Sequence, residues 1–183
     1  MNELRIYNHL LGGDTHGIPP VEKWNPPVTG DIDIRIAADG TWYHEGVAIR
    51  RAGLMNLFAS VLWREGDQYF LVTPVEKVRI QVEDAPLLVT QVEYSGTAEL
   101  QTIVFSTLTG DRFSLDAEHP LRVEYSSTQE PRPYVRVRRN LDALIHRNVF
   151  YSLIEQAIEV PGDQCTRLML RSEGTDFVLG EFV

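Results

Sequence analysis

Asp31-Ile32-Asp33-Ile34-Arg35-Ile36 alternates charged with apolar residues, and Asp39-Gly40 and then Trp42-Tyr43-His44-Glu45 follow it. Alternation at period two is the mark of a strand with one buried face. Asp-Gly between two such runs signals a hairpin, because both residues tolerate the backbone of a tight turn. The stretch predicts a β-hairpin, which a third short strand over 47–49 extends. Arg50 and Arg51 come next, and Leu54, Leu57, Phe58, Val61 and Leu62 then recur at helical spacing. Gly66-Asp67 is expected to end that helix, with strands following over 69–72 and 75–82.

Beyond Glu83-Asp84-Ala85-Pro86, a turn-rich break, the plan recurs. Strands are predicted over 87–94, 99–107, 112–115, 121–125 and 134–137. Arg138 and Arg139 precede Asn140, a competent helix N-cap. Leu141, Leu144, Ile145, Val149 and Leu153 then repeat at helical spacing. A hairpin over 167–171 and 176–179 closes the chain. With a one-residue gap after the arginines, the two helices superpose at a constant offset. The expected fold class is α+β, in two small domains of similar plan, each an antiparallel sheet with one packed helix. Leu57, Phe58 and Leu62 should face one sheet, and Leu144, Ile145 and Val149 the other. The expected boundaries are an irregular lead-in over 1–18, with a short helix in 1–10, and domains over 19–83 and 84–183.

Composition narrows the function classes. The 183 residues are 43% hydrophobic and 23% charged, ordinary values for a globular chain with its own core. A formal charge of −9 argues against a nucleic-acid polymer as partner. One cysteine, Cys165, excludes an intrachain disulfide framework and a cysteine-based zinc cluster. No stretch is apolar enough to span a membrane, and the N-terminus lacks a secretory pattern. The cytoplasm is therefore the expected location, with no membrane partner.

Catalytic signatures are weak. The five histidines show no metal-ligand spacing, and there is no nucleophile elbow. Gly12-Gly13-Asp14-Thr15-His16-Gly17 lacks the lysine of a phosphate loop. Asp142 and His146 stand four apart, which on a helix is an ordinary solvated pair. Neither an enzyme, nor a cofactor, nor a metal site is expected. Arginine is the unusual feature, outnumbering lysine fifteen to two. Five arginines (132, 136, 138, 139 and 147) crowd a stretch holding one acid, Asp142. Strand alternation puts Tyr134, Arg136 and Arg138 on one face and Val135 and Val137 on the other. An Arg-Arg pair before a helix makes an anion seat, where guanidinium forks and free N–H groups converge. Either a ligand anion fills it, or the chain's own carboxylates do, with Glu45, Glu76, Glu83 and Asp84 as internal candidates. Trp24 and Trp42 are either stacking residues or core.

Pro19-Pro20-Val21-Glu22-Lys23-Trp24-Asn25-Pro26-Pro27, Gly30 to Ile36, Asp39 to Trp42, Leu71 to Pro86 and His119-Pro120-Leu121-Arg122-Val123 are more specific than any catalytic pattern. Together they resemble the bacterial domain-of-unknown-function family 1285, from residue 19 to the C-terminus. The resemblance implies a duplicated α+β arrangement whose second domain is loosely pleckstrin-homology-like. It implies no enzymatic activity, and a signalling role with an interdomain site for a nucleotide-like ligand. Lys23, Trp24, Trp42, Glu76, Lys77, Glu83, Asp84 and the Tyr134–Arg138 strand match its motifs. Where the family commonly carries glycine after that strand, this chain reads Arg138-Arg139-Asn140.

The sequence thus predicts a non-catalytic sensory protein binding an anionic nucleotide-like small molecule at an interdomain cleft. Arg50, Arg136 and Arg138 are the expected anion contacts, supported by Lys77, with Trp42 as a stacking candidate and Tyr134 as a further ligand-binding residue. Glu83 and Asp84 would orient the arginines or accept from a base or sugar. The alternative is a protein-interaction module without a small-molecule ligand.

Overall fold

The computed structural model describes residues 18–97, 100–162 and 164–182. The expected helix in 1–10 and nearly all of the 1–18 lead-in lie outside them. The chain divides into two compact units, Met1–Asp84 and Ala85–Val183.

In the first unit the strands are β1 (Val28–Ile36), β2 (Trp42–His44), β3 (Val47–Ala48), β4 (Leu62–Glu65), β5 (Gln68–Val72) and β6 (Lys77–Val82), with helix α1 (Ala52–Ser60) between β3 and β4. They form one sheet in the order β3-β2-β1-β6-β5-β4, where β1 and β6 pair in parallel and every other pairing is antiparallel. The opening alternation holds: Ile34 and Ile36 are buried with Trp42, which β2 sets opposite Ile36. The turn between them rests on Asp39, whose carboxylate accepts the Thr41 N–H at 2.8 Å, and on Gly40 at φ +83°. That hydrogen bond holds the Asp39 carboxyl below its usual value.

Helix α1 ends earlier than expected. Val61 is the C-cap of the helix, Leu62 and Trp63 belong to β4, and Gly66-Asp67 turns β4 back onto β5. Short apolar runs fit either period, and pairing with β5 decides this one. Phe58 and Leu62 are both buried, the first from the helix and the second from the sheet.

The second unit holds β7 (Leu87–Ser95), β8 (Thr102–Thr107), β9 (Arg112–Ser114), β10 (Leu121–Tyr125), β11 (Pro131–Arg138) and β12 (Leu141–Ile145), then α2 (Arg147–Gln156). Its first sheet runs β10-β11-β12-β7-β8-β9, with β12 parallel to β7. Counted within each unit, both sheets read third, second, first, sixth, fifth, fourth. Each is two three-stranded meanders joined along a parallel seam. The duplicated α+β plan is therefore real, but it lies in the sheets.

The helices do not superpose as expected. Arg138-Arg139-Asn140 leads into a strand, because Leu141–Ile145 bonds to β11 on one side and β7 on the other. Leu144 and Ile145 are thus sheet residues. The helix begins at Arg147, with the His146 imidazole accepting the Asn148 N–H at 3.3 Å. Asp142 and His146 consequently share no helix. Val149, Phe150 and Leu153 bury the α2 face that packs on β7. A second, three-stranded sheet follows: β13 (Ile158–Pro161), β14 (Thr166–Ser172) and β15 (Thr175–Phe182). Its buried Leu170, Phe177 and Leu179 extend the core, and the buried Ser172 hydroxyl accepts the Ile103 N–H at 3.0 Å.

Candidate functional site

The arginine-rich stretch is sorted by strand pairing. Along β11, Val135 and Val137 are buried in the core, and Tyr134, Arg136 and Arg138 share the other side of the strand. The buried Asp142 stands opposite Arg136 on β12. Its carboxylate accepts from Arg136 Nε and, at 2.8 Å, from Arg122 Nη1 of β10. Burial pulls the Arg122 guanidinium down, but Glu124 and Asp142 outweigh it and hold its pKa above the usual value. Arg122 also lies 4.6 Å over the ring of the buried Tyr134. Arg138 pairs with Asp111 of the β8–β9 turn, both side chains nearly buried. Arg136 and Arg138, expected as anion contacts, are held by the protein's own carboxylates.

The two end members of the cluster meet elsewhere. Arg132 at the start of β11 and Arg147 at the start of α2 border a groove of about 200 Å3. Its walls are Pro131, Pro133, Leu144, Phe150 and Tyr151, with Glu130 at its rim. Arg132 Nε donates to the Tyr134 hydroxyl at 3.1 Å, and the exposed Arg147 stacks 5.8 Å over Tyr151. Among the described residues Arg147 has no carboxylate partner. Sequence reasoning counted Arg147 in the cluster but not in the site, because it placed the helix start six residues too early. The Arg139-Asn140 turn, which makes 141–145 a returning strand, is what moves the helix start to Arg147.

The first unit holds the other expected residues. Trp42 is 1% exposed and stacks on Phe58 with centroids 6.2 Å apart, so it is core rather than a stacking platform for a ligand. Lys77 is buried, donates to Glu65 at 2.7 Å and sits 5.1 Å from the Phe70 ring. The Lys77 hydrogen bond holds the Glu65 carboxyl below its usual value. Glu83 accepts the Ala38 N–H at 3.0 Å and pairs with Arg35, so it ties β1 to its turn. Asp84 is likewise partnered. Arg50 is exposed, without a carboxylate partner among the described residues, and Arg51 is the N-cap of α1 with no side-chain cap. The first arginine pair therefore does precede a helix, and the second does not.

His119 lies within reach of a carboxylate. His119 Nδ1 is 2.9 Å from Asp116 Oδ1, and the ring stacks on Phe113 with centroids 4.9 Å apart. Asp116 also accepts the Glu118 and His119 N–H groups at 2.8 and 3.0 Å, closing the turn before β10. Burial pushes the Asp116 carboxyl up, yet the His119 side chain and the two backbone donors outweigh it, and its pKa sits below the usual value. A depressed carboxylate stabilises the fold above its unfolded pKa, and that contribution is lost as pH falls through the folded one. Stability should therefore drop in acid below the ordinary aspartate range, and Asp116→Asn should flatten that part of a denaturation-against-pH curve. An unchanged curve would count against the turn as an acid-sensitive element. Among the described residues no group of three His, Cys, Asp or Glu side chains could hold a metal, and no helix is long and apolar enough to cross a membrane.

The N-terminal domain of the domain of unknown function DUF1285 matches residues 19–85, and the C-terminal domain of the DUF1285 protein of unknown function matches residues 86–179. A crystal structure of a DUF1285 family protein from Silicibacter pomeroyi DSS-3 is 42% identical, covering 95% of this chain and 93% of that one, with a TM-score of 0.85. Another, from Shewanella baltica OS155, is 32% identical over 67% of this chain and 90% of that one, with a TM-score of 0.54. No curated protein matches the chain.

Proposed function

Starting from the fact that the chain belongs to the DUF1285 family, we propose that it is a non-catalytic ligand-binding protein of bacterial signal transduction, acting in the cytoplasm on an anionic nucleotide-like small molecule. One observation carries the reading. While Asp142 and Asp111 hold Arg136 and Arg138, the exposed Arg147, without a carboxylate partner among the described residues, borders a groove. Guanidinium forks suit phosphate or carboxylate oxygens, and the proline and aromatic walls suit a flat, weakly polar body. The groove lies within the second unit. Arg50, exposed beside the uncapped start of α1, is a lesser candidate for the same chemistry.

The test is a thermal-shift panel of mono-, di- and cyclic nucleotides on the wild type and Arg147→Ala. At free ligand near 100 times its dissociation constant, binding adds about 2.7 kcal/mol, a melting shift of roughly 5–10 °C at this size. Arg147→Ala removes a charge-assisted contact of roughly 1.5–3 kcal/mol and should cut affinity by an order of magnitude or more, with little change in the unliganded melt. Equal shifts for both proteins, or none for either, would overturn the reading. The alternative is a protein-interaction module without a small-molecule ligand.

A further inference from the structure

Arg147 is half of what the groove beside α2 presents. Glu130, the last residue of the turn between β10 and β11, lines the same groove of about 200 Å3. Its main chain is fixed there. The Ser126 N–H donates to the Glu130 carbonyl at 2.9 Å, and the Glu130 N–H donates to the Ser126 hydroxyl oxygen at 3.1 Å. The Glu130 carboxylate is exposed and, among the described residues, accepts no hydrogen bond and pairs with no cation. By contrast Glu124, Asp142 and Asp111 are each held by an arginine. The remaining lining includes Pro131, Pro133, Phe150 and Tyr151. One open carboxylate and one open guanidinium therefore share a groove with flat apolar walls.

Building on the reading of this groove as a nucleotide site, we propose that Glu130 selects guanine. The ligand is then a guanine mononucleotide, with its phosphate on Arg147 and its base on the Glu130 carboxylate. An ionised carboxylate only accepts hydrogen bonds, on two oxygens side by side. Guanine offers two adjacent donors, its ring N1–H and its 2-amino group, which meet a carboxylate as a parallel pair. Adenine and cytosine set one amino group beside a ring-nitrogen acceptor, and uracil sets its N–H between two carbonyls. Each of these turns an acceptor toward the carboxylate, and such a mismatch is what makes a site selective. The volume agrees. Pockets that enclose a whole ligand run to roughly 300–1,000 Å3. A groove of about 200 Å3 takes the flat base and leaves sugar and phosphate at its mouth, where Arg147 stands exposed. One open guanidinium answers one phosphate group.

The test is isothermal titration calorimetry of guanosine, inosine, adenosine and uridine monophosphates against the full chain, Glu130→Gln and Arg147→Ala. Inosine monophosphate is guanosine monophosphate without the 2-amino group, so this pair isolates one hydrogen bond to the carboxylate. The wild type should bind the guanine nucleotide about tenfold or more tightly than the other three. Glu130→Gln should bring guanosine and inosine monophosphates within about threefold of each other, because a carboxamide sets a donor beside its one acceptor oxygen. Glu130 is exposed and its turn is held through Ser126, so this variant should melt with the wild type. Arg147→Ala should weaken all four nucleotides by a similar factor. Equal binding of the four nucleotides, still weakened by Arg147→Ala, would defeat the guanine assignment and leave the nucleotide reading standing. A guanine preference that survives in Glu130→Gln would also overturn the proposal. If no nucleotide binds, or if Arg147→Ala changes nothing, both the proposal and the reading beneath it fail.

Discussion

Trp42→Ala is expected to destabilise the first unit by about 3–5 kcal/mol, the usual cost of truncating a large buried aromatic ring. Trp42 is 1% exposed, lies opposite Ile36 across the β1–β2 ladder and stacks on Phe58 of α1. Its loss opens a cavity where helix meets sheet. All three tryptophans of the chain, at 24, 42 and 63, belong to the first unit. Tryptophan fluorescence from Trp24 and Trp63 in denaturant therefore follows that unit selectively, while circular dichroism follows both. The fluorescence midpoint should fall steeply in the variant. A midpoint within error of the wild type would return Trp42 to the role of a ligand-stacking residue.

Asp111→Ala is expected to cost about 3–5 kcal/mol in the second unit, because it leaves a nearly buried guanidinium without its counter-charge. Asp111 and Arg138 have side chains 10% and 12% exposed. The same carboxylate accepts the Thr107 hydroxyl at 2.9 Å, and the Thr107 hydroxyl in turn accepts the Asp111 N–H. Adding Arg138→Met should recover most of the loss, since an apolar side chain needs no partner there. The readout is denaturation followed by circular dichroism, with the tryptophan signal as an internal control that should not move. A loss below about 1 kcal/mol would place this pair among ordinary surface ion pairs.

Most strands were legible because alternation and turn residues agree with each other. Ile34 and Ile36 inward, Asp39-Gly40 at the turn, and Val135 and Val137 opposite Arg136 and Arg138 all follow from period two. What misled was the short apolar run. Leu141, Leu144 and Ile145 fit a helix as well as a strand, and pairing with β7, more than fifty residues away, settles the matter. Locally, Arg139 at φ +51° marks the turn, but nothing in the residue type announces a positive φ for arginine. β13 was missed for a related reason. Its four residues are all exposed, so burial imprints no alternation on them. The site suffered from the same error. Placing a helix after Arg138-Arg139 turned two internally paired arginines into anion contacts and hid Arg147. The carboxylates that hold Arg136 and Arg138 could not be assigned from spacing, since Asp111 reaches Arg138 across three strands of the sheet.

The parallel seam has a consequence for how such a chain arises. The first and last strands of each sheet are neighbours at its centre, so the chain enters and leaves each sheet in the middle. The edge strands β3, β4, β9 and β10 are all internal to the sequence of their unit. Copying the coding segment of one unit in tandem then asks only for a short link from one central strand to the next, as Glu83–Pro86 provides between β6 and β7. No ladder has to open to admit the copy. The two halves were thereafter free to diverge at their edges, one placing its helix between the meanders and the other after them.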